Sequence, residues 1–308
     1  MMDCPLVSVV ITTRNRKRDV LVALESCLGQ SYQPLEVRVY DDASGDGTEA
    51  AVRACFPDVR YHRSEKNVGL VQLRDHSLHE AQGRYVFSLD DDAYYSDPDT
   101  VAKTVAVFRD DPKVAAVAIP FVEPNKPPPR AQSIQPFQPL RSYIGCAHAL
   151  DRQAALMAGG YRGFFFRQGE ERDLCIRLLE LDRSIVYGTG EPVVHLYSPT
   201  RSYAAMSYYG IRNQLLCDYL NVPQPYTLPL MFYHSLRLFR HKLRPDTFVT
   251  NLGYLICGWC ACVRYARLRR PVSRATFRRM RKLPFQEALP ATREYAPVRL
   301  PFKVTREV

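Results

Sequence analysis

The sequence predicts an α/β protein built on a doubly wound, mostly parallel sheet flanked by helices, with a helical C-terminal extension. Three observations carry that expectation. Short β-branched apolar runs alternate with helical spacing through the first third of the chain, which is the pattern of parallel βαβ units. Polar clusters follow the apolar runs, at the strand ends where open α/β sheets bind ligands. From Pro229 the chain becomes basic and helical, unlike what precedes it.

Val7 to Ile11 is apolar and β-branched, as a strand covered on both faces is, and Thr12-Thr13-Arg14-Asn15 leaves it as a polar loop. Asp19 to Gly29 is a helix with Val20, Leu21, Leu24 and Leu28 on one side. Leu35 to Tyr40 forms a second strand, ending in Asp41-Asp42-Ala43-Ser44-Gly45-Asp46-Gly47-Thr48. Thr48 to Cys55 is helical, Val59 to His62 a short strand, Gly69 to Gln82 a helix and Tyr85 to Leu89 a fourth strand. The prolines between Pro120 and Pro139 exclude helix and predict an irregular loop, either a lid or a plain connector. Arg141 to Asp151 resumes a strand pattern around Gly145, whose missing side chain lets a ligand or backbone come close. Gly169 to Leu181 is a helix, and Pro192 to Leu196 is a strand with His195 near its end.

The chain of 308 residues is long enough for one large or two modest domains. Its nine cysteines are scattered and no signal-peptide pattern precedes them, so a reduced cytoplasmic setting is expected rather than a disulfide framework. Cys257-Gly258-Trp259-Cys260 has CxxC spacing but no second ligand pair. Thirteen Lys and Arg against one Asp between Arg237 and Lys282 put about +12 on that stretch and leave about −2 elsewhere. Any attraction to an anionic surface therefore sits in the C-terminal quarter. There, Phe232, Leu236, Phe239 and Leu243 share one helical face, and His234, Arg237, His241 and Arg244 another. Leu252 to Val263 is apolar but falls well short of the ~20 residues that span a bilayer. Attachment to an anionic cytoplasmic membrane face and packing on the rest of the chain are the two readings. A nucleic-acid-binding protein is a rival reading that only this basic stretch suggests, and with no recognisable RNA- or DNA-binding motif beside it no nucleic-acid partner is expected.

The most telling feature is Asp90-Asp91-Asp92 at the end of an apolar strand. Three adjacent like charges are costly unless a cation or hydrogen bonds offset them, and carboxylate oxygens suit a hard ion such as Mg²⁺ or Mn²⁺. The alternative is a solvated acidic turn before Pro98. Glu170, Glu171 and Asp173 open a helix, where carboxylates cap the macrodipole or serve as a general base.

Together these segments resemble the inverting nucleotide-sugar glycosyltransferases of family 2, with the GT-A fold. The resemblance runs through Val7 to Asn15, Asp41 to Thr48, Asn67-Val68-Gly69 with Arg74, Asp90-Asp91-Asp92, Gly159-Gly160-Tyr161, Gly169 to Leu174 and Tyr209-Gly210-Ile211-Arg212-Asn213. It implies a catalytic domain over 1–215 and leaves 216–308 as a basic amphipathic region. It also implies that Thr12 and Asp42 contact the nucleotide base, flanked by Arg14 and Asp41, and that Arg74 faces the donor. Asp90 and Asp91 would hold the ribose and donor sugar. Asp92 would bind Mn²⁺ or Mg²⁺, with His195 completing the metal shell.

The family usually has Glu-Asp where this chain has Glu170-Glu171, so a longer carboxylate stands at the position of the usual base. Glu171 remains the expected base, ahead of Glu170 or Asp173. The implied donor is a UDP-, dTDP- or GDP-sugar and the acceptor a glycan or lipid-linked hydroxyl. Two further rivals are a nucleotide-sugar pyrophosphorylase, which would carry a glycine-rich loop where Thr12-Thr13-Arg14-Asn15 stands, and a non-catalytic sugar-nucleotide-binding or membrane-scaffold protein.

Overall fold

A computed structural model describes residues 4–124, 126, 134–196, 203–241, 248–291, 295 and 298, with backbone alone for 203, 238–241 and 248. The strands are β1 (Val7–Thr13), β2 (Leu35–Asp41), β3 (Arg60–Arg63), β4 (Tyr85–Asp90), β5 (Ala93–Tyr94), β6 (Val114–Ala118), β7 (Phe121–Val122), β8 (Ala147–Asp151), β9 (Ser184–Tyr187) and β10 (Val193–His195). The helices are α1 (Lys17–Leu28), α2 (Thr48–Cys55), α3 (Leu70–Glu80), α4 (Thr100–Asp110), α5 (Arg152–Met157), α6 (Glu170–Glu180), α7 (Tyr203–Asn221), α8 (Thr227–His241), α9 (Phe248–Arg264) and α10 (Arg274–Arg281).

Seven strands form one sheet in the order β3-β2-β1-β4-β8-β6-β9. Only β8 runs against its neighbours, so the sheet is mostly parallel, as expected. Every residue of β1 is buried because helices cover both faces. Successive side chains alternate between the layers: Val7, Val9 and Ile11 pack with α1 and α4, while Val10 packs with α3 and the apolar stripe of α6 and α7. A second sheet, β5-β10-β7, stands where the chain leaves β4.

Three expectations are corrected. β1 continues through Thr12 and Thr13, since both pair with β2, so the polar loop begins at Arg14. The strand expected over Arg141 to Asp151 starts only at Ala147, and Gly145 lies in the irregular approach to it. The proline-rich stretch contains β7, whose two residues pair with β10; residues 127–133 lie outside those described.

The 215/216 boundary falls inside α7. Met231 of α8 and Leu255, Ala261 and Cys262 of α9 belong to the same apolar cluster as Leu174 and Leu215. The outer faces of α8 and α9 are different: Phe232, Leu236, Val249, Ile256 and Val263 are all more than half exposed. Packing on the core and an apolar outer surface therefore coexist. The side chains of Phe239, His241, Leu243 and Arg244 lie outside those described. No described helix is long and apolar enough to cross a membrane.

Candidate active site

Parallel pairing brings the expected clusters to one sheet edge. Thr12 stands level with Tyr40 on one side and Asp90 on the other, and Thr13 level with Asp41. Asp41 is fully buried: Oδ1 accepts from the Ser44 amide at 2.9 Å and hydroxyl at 2.5 Å, and Oδ2 accepts from the Tyr61 hydroxyl at 2.7 Å. Asp42 accepts the amides of Val68 at 2.7 Å and Gly69 at 3.1 Å, which ties the loop before α3 to the end of β2. Gly69 has φ 93°, a conformation a side chain would strain. Asn15 clasps the two loops, donating its amide to Ser44 Oγ at 2.8 Å and accepting from the Gly45 amide at 2.8 Å. Arg14 beside it is exposed, while Thr12 is buried.

The antiparallel pairing of β10 with β5 sets His195 opposite Ala93, one residue beyond Asp92. His195 Nε2 lies 3.2 Å from Asp92 Oδ1, and its Nδ1 lies 3.1 Å from Glu123 Oε1. Asp90, Asp92 and His195 each offer a ligand atom, all within 4.8 Å of one another. Two carboxylate oxygens and one imidazole suit Mn²⁺, whose remaining positions phosphate oxygens and water would fill. Burial works against charge on His195, but hydrogen bonds to Asp92 and Glu123 outweigh it and push its pKa up to about 9. Burial likewise opposes the Asp92 carboxylate, yet His195 and Arg16 hold it well below the usual range. Arg16, at the entrance to α1, places Nη1 2.5 Å from Asp92 Oδ2 and 3.3 Å from Asp91 Oδ1. Thr13 Oγ1 donates to Asp91 Oδ2 at 2.8 Å. Burial still pushes Asp91 up to about 7.

Arg74 joins this edge to α6. Almost wholly buried, it donates to Asp90 Oδ1 and Glu170 Oε1, each at 2.7 Å, and to the Gly145 carbonyl at 2.8 Å. The three carboxylates opening α6 are thereby distinguished. Asp173 is enclosed by Arg162 at 3.0 Å, Arg177 at 2.7 Å and Asn221 at 2.8 Å, a structural ion cluster. Glu170 is buried against Arg74, and its Oε2 has no hydrogen-bond partner among the described residues. Burial, then the neighbouring Glu171, raise its pKa to about 8 against the pull of Arg74. Glu171 is half-buried and accepts the Gly169 amide at 3.2 Å. Its Oε1 would stand only 2.8 Å from a Cβ at position 145. Asn213, fully buried in α7, donates Nδ2 to the carbonyls of Phe165, Arg167 and Gln168 at 2.7–2.9 Å and so shapes the loop entering α6.

Arg16, Thr13 and Glu123 are the site residues that sequence reasoning missed. Arg16 reads as one of several cations opening a helix, and Glu123 stands beside a proline loop. Only the pairing of β10 with β5 and β7 shows which carboxylates their neighbours reach.

The model of glycosyl transferase family 2 matches residues 8–169. Escherichia coli chondroitin synthase is 34% identical over 116 residues, which is 37% of this chain but 17% of that protein. An uncharacterised glycosyltransferase of Haemophilus influenzae is 24% identical over 226 residues, 70% of this chain and 76% of that one. Among solved structures, the Pyrobaculum calidifontis mannosyltransferase PcManGT in complex with GDP-Man and Mn²⁺ has a TM-score of 0.57 at 20% identity, covering 91% of this chain and 80% of its own. Staphylococcus aureus TarS 1–349 in complex with UDP-GlcNAc has a TM-score of 0.62 at 15% identity, covering 82% and 81%. The GT-A fold is thus shared at identities too low to carry substrate. The family match spans more than half of the chain and contains the strand ends, Arg74 and the Asp90–Asp92 run, so this protein belongs to glycosyl transferase family 2.

Proposed function

We propose that this protein transfers a sugar from a nucleoside-diphosphate sugar to an acceptor hydroxyl with inversion, in the assembly of a polysaccharide or glycolipid at the cytoplasmic face of a membrane. The observation that carries the reading is the bridge made by Arg74, which fixes Asp90 of the acidic edge and Glu170 of α6 to one guanidinium. It leaves Glu171 as the half-exposed carboxylate of that helical turn, facing the same space. Two of the similar structures hold GDP-Man and UDP-GlcNAc, which supports a nucleotide-sugar donor without choosing among UDP, dTDP and GDP. A glucosyltransferase of Escherichia coli, 34% identical over 92 residues, acts by its name on a diphosphoundecaprenol-linked sugar. That supports a lipid-linked acceptor here.

In this mechanism Thr12, Arg14 and Asp42 line the nucleotide side, with Asp41 holding the loop that presents them. Asp91 orients the donor beside Thr13. Asp90, Asp92 and His195 would hold Mn²⁺ or Mg²⁺, which when bound stabilises the charge that builds on the departing nucleoside diphosphate. Glu171 accepts the proton of the acceptor hydroxyl as its oxygen bonds the anomeric carbon from the face opposite the leaving group. That direction of attack inverts the configuration. Residues 1–215 carry the chemistry, and the exposed apolar and basic surfaces of 216–308 attach the protein to the membrane.

The test is nucleotide release from UDP-, dTDP- and GDP-sugars with Mn²⁺. Glu171→Gln should lower kcat by orders of magnitude at nearly unchanged donor affinity. Asp92→Ala or EDTA should abolish turnover. Wild-type turnover in EDTA would refute the metal assignment, and an active Glu171→Gln would refute the base.

A further inference from the structure

Residues of α6, α7, α8 and α10 line a cavity of about 530 Å³, within the range of small-ligand pockets, and none of the lining residues belongs to the acidic edge. Its floor is apolar: Ile176, Val222 and Phe277 pack together there, joined by Leu230 and Met280. Four arginines line the same space, Arg141, Arg172, Arg237 and Arg281. Asp218 is the carboxylate among the lining residues, and it is engaged by His234 Nδ1 at 2.6 Å and Gln214 Nε2 at 3.1 Å. Arg141 directs its hydrogen bonds to the carbonyls of Leu283 at 2.7 Å and Arg281 at 3.3 Å, and its guanidinium lies 4.0 Å from the Phe285 ring centre. Burial and then the charge of Arg281 both lower its pKa, as two guanidinium groups that oppose each other's charge do.

We propose that this cavity binds the phosphate head and adjoining chain of a membrane lipid phosphate. Arginine forks suit phosphate oxygens, and the apolar floor suits hydrocarbon. A soluble sugar phosphate would leave that floor unused. The rim continues onto the membrane-facing surface, because Tyr233 and Arg237 alternate along α8 with Phe232, 61% exposed, and Leu236, 64% exposed. The inference rests on the membrane attachment proposed above and names the lipid chemistry that would serve it.

Calorimetric titration of the full chain with farnesyl phosphate, below its micelle concentration, tests the proposal against farnesol and inorganic phosphate. Farnesyl phosphate should bind at least tenfold more tightly than either, and Arg237→Gln with Arg281→Gln should weaken it about tenfold while nucleotide-sugar affinity holds. Both arginines are exposed, so the double variant should fold. Equal binding of farnesol would reduce the site to an apolar crevice, and equal binding of phosphate to a bare anion site; either overturns the proposal. So does an unaffected double variant or an absence of binding. Nucleotide-sugar binding with Mn²⁺, measured on the same samples, tests the transferase reading separately.

Discussion

Gly145→Ala places a single methyl group between the two residues on which the proposed chemistry turns. The new Cβ would lie 2.8 Å from Arg74 Nη1, 2.8 Å from Glu171 Oε1 and 3.4 Å from Arg74 Nη2. Ordinary contact begins at about 3.5 Å, so both Arg74 and Glu171 would have to retreat by roughly 0.7 Å. Arg74 has no room to do so, being 2% exposed and held by Asp90, Glu170 and the Gly145 carbonyl. Glu171, half-buried with one amide hydrogen bond, is the side chain that gives way, while the backbone at 145 has to shift from Arg74. Overpacking of this kind costs about 1–3 kcal/mol, so the fold should survive with a melting temperature lowered by several degrees. Displacement of a catalytic group on the order of an ångström costs about a hundredfold in rate. The expected result is kcat down by about two orders of magnitude at near wild-type donor affinity, read from nucleotide release beside thermal melts. A variant with kcat within about threefold of wild type would show that Glu171 is not held against position 145 during turnover.

Arg16→Gln removes the cation that pairs with Asp91 and Asp92, and a charged hydrogen bond of about 1.5–3 kcal/mol should reappear as Mn²⁺ affinity ten- to a hundredfold higher without nucleotide, read by electron paramagnetic resonance. Unchanged affinity would sink the idea that Arg16 and metal compete. Asp173→Asn should lower stability by about 3–5 kcal/mol, because it leaves Arg162 and Arg177 buried without their shared anion. A denaturation midpoint equal to wild type would argue against that structural role. Glu170 holds its proton up to about pH 8 in the folded protein but releases it near 4.5 when unfolded, so it makes stability fall as pH rises through that window. Glu170→Gln should therefore gain on wild type between pH 4.5 and 8 in thermal melts, and a constant difference would contradict the shift.

The strand–helix alternation was legible because β1 and β4 are buried along almost their whole length and are mainly apolar, while β2 alternates Val37, Val39 and Leu35 with Glu36 and Arg38. Thr48–Cys55 appears with the expected bounds, fixed by a glycine before it and an aromatic break after it. Thr12 and Thr13 were read as loop because their polarity suits solvent, whereas the ladder to β2 extends through them. Gly145 was rightly marked as a place of close approach, but its partners belong to α3 and α6 and no local pattern names them. The same holds for Asp173: beside Glu170 and Glu171 it looks equivalent in sequence, and only the arrival of Arg162, Arg177 and Asn221 makes it structural.

The placement of the side chains changes what three adjacent aspartates imply about a metal. Repulsion alone no longer requires an added cation: Asp90 is paired by Arg74, Asp91 by Arg16 and the Thr13 hydroxyl, and Asp92 by Arg16 and His195. The case for Mn²⁺ or Mg²⁺ rests instead on the convergence of Asp90, Asp92 and His195. Those same contacts set a condition on binding. Arg16 has to leave Asp92 before a second cation can share that carboxylate, and His195 has to release its proton to offer a lone pair. The first change frees a guanidinium that is still charged and the second releases a proton, and a diphosphate arriving at the sheet edge offers that guanidinium a new anionic partner. The arrangement favours donor and metal together over either alone, so nucleotide should raise Mn²⁺ affinity in the wild type far more than in Arg16→Gln.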